Sequence, residues 1–503
     1  MNQVGATPEG TKEFARRFTD IDFLPLGCTG WLASAAGFGG YRIAAGVAIH
    51  AQALKAALTG GVNLIDTSAN YADGESERLI GQVLRELMAE GALKRNEVIV
   101  VSKAGYLQGR NYEMSQARKR EGSPLPELVE YGRGLEHCIH PEFLEDQLTR
   151  SLRRLGLKML DVFLLHNPEY YLAWARKQGH TPEAAAGEYY RRIRAAFALL
   201  ESEVAAGRIQ AYGVSSNTLP APSADPEWTS LDRLMRLADE VSKSHHFRIV
   251  QLPLNLLESG AVLELDAEGR SVLDLAAERR MGVLINRPLN AFDGRRMIRL
   301  AEIPPPDEFE DQEITSAITA FKRSEKRFIG KQLQAMALPL PLRQRIADQL
   351  VVADHLIHYW RNFGSYEHWR QVRGGFVLPR VMGVVQYLRQ NAGAAAEVQA
   401  WIDAHLALLE KVDRGIESVY AGSAIREQKV LKRRVRAADP EWGRAETLSQ
   451  MAVRALRSTR GVGSVLVGMR HTAYVTDILS ELRRPALQSD RREAWRIVST
   501  PSK

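Results

Sequence analysis

Two cysteines in 503 residues, Cys28 and Cys138, rule out a disulfide framework and make a reducing compartment the expected home. No apolar run is long enough to span a bilayer. The opening stretch MNQVGATPEGTKEFARRF lacks the apolar centre of a secretory signal, so a cytoplasmic protein with no membrane partner is expected. A marked excess of charge of either sign is lacking as well. The 67 basic and 60 acidic residues leave a net +7, slight for this length and poor grounds for a nucleic-acid partner. There is no cysteine cluster and no flavin-type glycine fingerprint. What remains is ordinary soluble composition, 45% hydrophobic and 25% charged. The length fits two or three domains, or one barrel of roughly 250 to 400 residues with insertions.

The chain is organised around residues 62–82, VNLIDTSANYADGESERLIGQ. Val62 to Asp66 read as a buried parallel strand that closes on a carboxylate. A polar loop leads to Tyr71, and Glu75, Ser76 and Glu77 then open a helix with Leu79, Ile80, Val83 and Leu84 on one face. The same design recurs. VIVVSK (98–103) closes on Lys103 and LDVFLLH (160–166) on His166. RIQAYGVSSN (208–217) ends in Ser215, Ser216 and Asn217, and RIVQLPLN (248–255) carries Gln251. MGVLINRPL (281–289) and GSVLVGMR (463–470) make strands seven and eight. Strand one is expected within 24–43, followed by Gly37, Gly39 and Gly40, after a polar lead-in over 1–22. Helical patterns fall near 50–60, 141–155, 187–206, 229–243, 270–280 and 446–458. Eight strands alternating with helices predict an α/β fold, a (β/α)8 TIM barrel.

Two stretches exceed a minimal barrel. Residues 105–140 form a polar, Gly- and Arg-rich insert after strand three. Residues 291–445 follow strand seven; an acidic, proline-bearing linker at 303–314 precedes amphipathic helices over 315–420. The expected organisation is barrel strands one to seven in 1–290, a mostly helical insertion in 291–445 between strand seven and helix seven, and barrel completion in 446–503. Both inserts replace βα loops, which emerge on the catalytic face of such a barrel. The helical one is therefore expected to cap the pocket, with a partner-binding module as the alternative.

The phrase DTSANYADGESERLIGQVL (66–84) resembles the signature of the aldo-keto reductases, and the resemblance extends over the eight strand–helix units. It implies four catalytic residues, Asp66, Tyr71, Lys103 and His166, all at strand ends or just past one. Reduction of a carbonyl by hydride leaves charge on oxygen and calls for a proton donor. A phenol of pKa about 10 is a weak acid for this, and a neighbouring ammonium lowers its pKa. On this reading Lys103 supplies the ammonium, Asp66 holds it, and His166 orients the carbonyl.

The resemblance also implies a nicotinamide cofactor, NADP in preference to NAD. Asn217, Gln251 and one of Ser215 or Ser216 would hold the carboxamide, above a glycine turn that includes Gly39. At the position where the family often stacks an aromatic ring stands Asn286, followed by Arg287, Pro288 and Leu289, with Arg287 able to reach the pyrophosphate. After strand eight come Gly468, Met469 and Arg470, the last a candidate for a ribose 2′-phosphate because guanidinium binds phosphate in a fork. Asp477 falls near the usual adenine-contacting acid, while Tyr474 replaces a second basic residue.

The expected activity is interconversion of a small-molecule carbonyl and an alcohol. A nicotinamide-binding regulatory or sensor subunit is the alternative, since fold does not fix function. Substrate, direction and any homo-oligomeric state stay open. His355, His358, Glu367 and His368 have metal-like spacing but lie in an aromatic helical stretch, so packing is the expectation and no metal site is assigned. The basic run Lys432, Arg433, Arg434 and Arg436 reads as a solvated helix face.

Overall fold

The computed structural model describes residues 5–293, 296–391 and 396–499. Eight parallel strands close into a barrel: β1 Ala36–Gly39, β2 Leu64–Asp66, β3 Ile99–Ala104, β4 Leu160–His166, β5 Ile209–Ser215, β6 Phe247–Pro253, β7 Gly282–Asn286 and β8 Ser464–Val467. Each pairs with its sequence neighbours, and β8 closes the ring on β1 through Val465↔Ala36. Helices such as Glu75–Ala89, Pro141–Leu155 and Leu231–Val241 follow the strands. Their buried residues recur every three or four positions, as Leu144, Leu148, Ser151 and Leu155 do in the second of these.

The inner layer consists of side chains from alternate strand positions, among them Leu64, Val101, Leu164, Ala211 and Ile249. It is sealed at the N-terminal end of the barrel by a short antiparallel hairpin, Phe23–Pro25 with Leu32–Ser34. Leu26, Trp31 and Ala33 of this hairpin segment belong to the same apolar cluster. Gly27 turns here at φ +59°, and a Cβ would sit 2.3 Å from the Gly282 amide, so only glycine lets the hairpin meet the start of β7. The sequence reading of 24–43 needs correcting. Gly37 and Gly39 do not follow strand one but lie inside it, because a Cβ on Gly37 would come within 2.7 Å of Leu64. The stretch read as a polar lead-in contains a helix, Pro8–Arg17, capped by Thr7. Its approach is pinned where the Ala6 amide donates to buried Asp161 at 2.6 Å; residues 1–4 of that stretch lie outside the described residues.

The insert after β3 is structured. Tyr106–Leu107, Leu135–His137 and Val129–Gly132 form a three-stranded antiparallel sheet, with a helix at Gly109–Arg120. Leu107, Leu125, Cys138 and Phe143 close a small core of their own.

The chain divides into two compact units, 1–289 with 434–503, and 290–433. The second unit is mainly helical, with helices that include Asp311–Arg327, Leu340–Leu350 and Leu378–Asn391 and the first part of Ala396–Ala438. It also carries an antiparallel strand pair, Asn290–Asp293 with Arg296–Arg299. Its core is independent and aromatic, with Phe321, Phe328, Trp360, Trp369 and Trp401 buried among aliphatic residues. His355 packs edge-on against Phe376, His358 bonds the Asp354 carbonyl, and His368 accepts from the Gly364 amide. No helix among the described residues is long and apolar enough to cross a membrane.

Glu325 is buried in this unit and accepts the Val352 and Ala353 amides. Burial outweighs these bonds and pushes its carboxyl up to about 8. Between the ordinary carboxylate value and that point, the folded chain holds a proton that the unfolded chain has lost. The group's contribution to stability is therefore complete at acid pH and declines as pH rises, by at most about 1.4 kcal/mol per pH unit inside the window. Glu325→Gln keeps an acceptor for the amides and removes the titration. Its thermal midpoint should gain on the wild type progressively from about pH 5 to about pH 9. A constant gap over that range would exclude the linkage.

Candidate active site

The barrel register decides which side chains meet. Asp66 ends β2 beside Gly39 of β1. Lys103 lies two residues beyond the position on β3 that pairs with Asp66, and His166 two beyond the partner of Lys103. His166 pairs in turn with Ser215, and Ser215 with Gln251. Side chains alternate along a strand, so steps of two keep these groups on the inward face at one end of the barrel.

Lys103 is fully buried and donates to Asp66 Oδ1 at 2.6 Å and to the Thr67 carbonyl at 2.8 Å. The network continues as Gln251 Nε2 donates to the same Asp66 oxygen at 2.8 Å. Ser215 Oγ and Asn286 Nδ2 then donate to Gln251 Oε1, at 3.0 and 3.4 Å. An unbroken polar chain therefore runs from the ammonium to β7. Tyr71 enters on a short 3-10 turn, Tyr71–Gly74, whose Ala72 and Asp73 have positive φ. Its ring meets Tyr41 and His166 edge-on at 5.1 and 5.9 Å between centres, and Lys103 Nζ stands 5.0 Å from the ring centre. His166 Nδ1 is 3.0 Å from Ser68 Oγ, and the His166 carbonyl accepts from His137 Nε2 at 2.8 Å.

Electrostatics here corrects the reading of Tyr71. Burial, then the Asp66 charge and Tyr41, hold its phenol well above the ordinary value instead of letting Lys103 lower it. Burial lowers Lys103 while Asp66 opposes the shift, and burial with Lys103 and His137 keeps His166 well below the usual imidazole range. Tyr71 is thus a protonated phenol and His166 a neutral ring at physiological pH.

The remaining candidates are distributed around the rim. Asn217 donates its backbone N–H to Glu169 Oε1 at 2.8 Å, and Ser216 turns toward Thr218 and Thr229. Arg287 adopts φ +51° and pairs with Glu258 at 3.0 Å, next to Pro288 and the buried Leu289. Gly39 lies against the β8 backbone, where a Cβ would be 3.3 Å from Val467. Gly468 has open space where a Cβ would stand, whereas Met469 is buried. Arg470 is close enough to His50 for its charge, together with that of His471, to add to burial in lowering the His50 pKa. Asp477 takes bonds from Thr447, Ser449 and Gln450, which ties the helix Thr472–Leu482 to the start of the helix Leu448–Arg457.

Several residues at this end of the barrel were not evident in the sequence. Tyr106 and His137 come from the insert after β3, with Tyr106 packed edge-on to His166 at 4.6 Å and accepting from Asn167 Nδ2 at 2.8 Å. Tyr170 lies 5.1 Å from Tyr106 and 4.4 Å from Tyr131. Ser68 sits inside the motif itself and was within reach of sequence reasoning.

Residues 37–260 match the model of the aldo/keto reductase family. An NADH-specific methylglyoxal reductase from Escherichia coli is 30% identical over 151 residues, 28% of this chain and 41% of that protein. A putative voltage-gated potassium channel subunit beta from Schizosaccharomyces pombe is 27% identical over 154 residues, 30% of this chain and 38% of that protein. The matched part thus spans about two-fifths of these curated relatives. A solved glycerol dehydrogenase from Gluconobacter oxydans is 16% identical, with 96% of this chain and 98% of that one covered at a TM-score of 0.46. Residues 37–260, a little under half of the chain, are thus similar to the aldo-keto reductase family, and a separate helical unit follows β7.

Proposed function

We propose that the chain is a nicotinamide-dependent oxidoreductase that interconverts a carbonyl and an alcohol, with Tyr71 as general acid and base. The observation that carries this reading is the meeting of Asp66, Tyr71, Lys103 and His166 at one end of the barrel. The residues present also suit a dinucleotide. Asn286 Oδ1 is a buried acceptor with no hydrogen-bond partner, beside Gln251, and can take an amide N–H such as that of a carboxamide. Arg470, His471 and His50 gather positive charge or donors for a phosphate.

When bound, the dinucleotide supplies or accepts the hydride. The protein's part is to deliver the proton and manage charge. His166 Nδ1 lies 3.0 Å from Ser68 Oγ, and in the Nε2–H tautomer the other ring nitrogen can donate to the substrate oxygen and orient it. Tyr71 then gives its proton to that oxygen. The phenolate left behind is stabilised by the Lys103 ammonium, which Asp66 and the Thr67 carbonyl hold in place. Oxidation of an alcohol runs the same steps in reverse.

A screen of aldehydes, ketones, sugars and alcohols that follows nicotinamide absorbance tests the activity. Absence of turnover with retained dinucleotide binding would instead favour a regulatory subunit, a role that fits the name of the fission-yeast relative. The preference for NADP(H) rests on Arg470. Arg470→Ala should weaken NADP(H) by roughly 1.5–3 kcal/mol, the range for bonds to charged groups, and leave NAD(H) nearly unaffected. Equal weakening of both in a binding titration would count against the assignment.

A further inference from the structure

Glu169 is a buried carboxyl that the proposed chemistry does not use. It follows β4 by three residues and is only 4% exposed. Although it stands at the N-cap of the helix Tyr170–Lys177, its side chain makes no cap bond there. It reaches instead to the loop after β5 and accepts the Asn217 N–H on Oε1 at 2.8 Å. The two loops are also joined by the Asn167 amide, which donates to the Ser215 carbonyl at 2.7 Å with Asn167 at φ +51°. Glu169 therefore bridges the loop that follows His166 and the loop that carries Asn217.

Among the described residues no cation is found acting on it. The groups that act on it are the Asn217 amide, its own backbone amide, the nearby Ser216 hydroxyl of the β5 loop and Glu227 further along that loop. Tyr189 of the helix Pro182–Ala205, Tyr106 of the insert and Tyr170 of its own helix also feel its charge. Oε2 is buried and completes no hydrogen bond, since Ser216 directs its bonds to Thr218 and Thr229. A carboxyl so placed is poised between two forms. Burial pushes it up to about 7, with the Asn217 amide pulling the other way. As a carboxylate it takes the Asn217 N–H in a charge-assisted bond, roughly twice as strong as the neutral one; as the acid it holds that loop less firmly.

We propose that Glu169 is a positioning residue that fixes Asn217 for the dinucleotide, so that dinucleotide binding expels the Glu169 proton to solvent. This rests on the reading of Asn217 as a carboxamide ligand. Whatever needs the loop fixed binds the ionised form better, so affinity rises as pH passes upward through the titration of Glu169.

The test is a titration of the full chain and of Glu169→Gln with NADPH between about pH 6 and about pH 8. Gln keeps the acceptor for the Asn217 amide, and the 2′-phosphate titrates equally in both experiments. The ratio of the two dissociation constants should move about three- to tenfold, with the wild type gaining affinity as pH rises. Parallel profiles would overturn the proposal. A measurement on the unmodified protein guards against a variant that fails to fold: calorimetry with NADH, which lacks the 2′-phosphate, in two buffers of different ionisation enthalpy near pH 7. Net proton release is expected, and zero exchange or uptake would overturn it. Asn217→Ala separates the two claims. NADPH binding unaltered by that change removes the reading beneath the proposal, whereas Asn217-dependent binding with a pH profile that Glu169→Gln shares removes the proposal alone.

Discussion

Tyr71→Phe should reduce turnover by about 10²–10⁴-fold, the usual worth of a positioned acid, while dinucleotide affinity changes little. The hydroxyl is the only group lost. The ring keeps its edge contacts with Tyr41 and His166 and its place beside Lys103, so the packing around it persists. The protonation state sharpens the expectation. Because burial and the Asp66 charge hold the phenol in its protonated form, no alkaline limb from free phenolate should appear near neutral pH in the reductive direction. Stopped-flow measurement of the hydride step, with binding followed separately by nicotinamide fluorescence, gives both numbers. Unchanged turnover would remove Tyr71 from the mechanism. A large loss of dinucleotide affinity would show that its role is binding instead.

The strand ends were legible because each is an abrupt break in an apolar run. Asp66 and His166 end their strands and Lys103 is the last residue but one of its own, each behind two to six buried strand residues, and a buried polar group at a strand end needs a reason. β1 hid for the opposite cause. Its four residues, AGFG, are mostly too small to give a strand signal, and the glycines that serve packing there resemble those of a turn. The insert after β3 hid because its strands are two to four residues long, too short for a period of two to register. Tyr71 shows a different limit. The ammonium near it could be inferred from the motif, but the burial that outweighs it could not, since desolvation depends on everything packed around the ring. Glu169 is the same lesson in another residue. Nothing in HNPEYY singles it out, and only the fold places it against Asn217.

Removal of Asp66 should destabilise the barrel by about 3–5 kcal/mol, the cost of leaving one member of a buried ion pair without its partner. In Asp66→Ala the Lys103 ammonium would retain the Thr67 carbonyl at 2.8 Å but only the weaker pull of Glu77 as counter-charge, in surroundings where burial already lowers its pKa. The variant should also disclose its cause through pH. A lysine whose folded pKa lies below its unfolded value binds fewer protons in the folded state, so stability rises as pH climbs toward the unfolded value of about 10.4. The deficit of Asp66→Ala relative to wild type should therefore be largest near neutral pH and shrink in alkali. Lys103→Met in the same background removes the stranded charge with a similar volume, and the double variant should recover much of the loss, as replacement of whole buried pairs by apolar groups often does. Urea denaturation of the four proteins at two pH values measures the coupling directly. A double variant no more stable than Asp66→Ala would place the damage in lost packing or in the Gln251 bond to Asp66, and not in an unpaired ammonium.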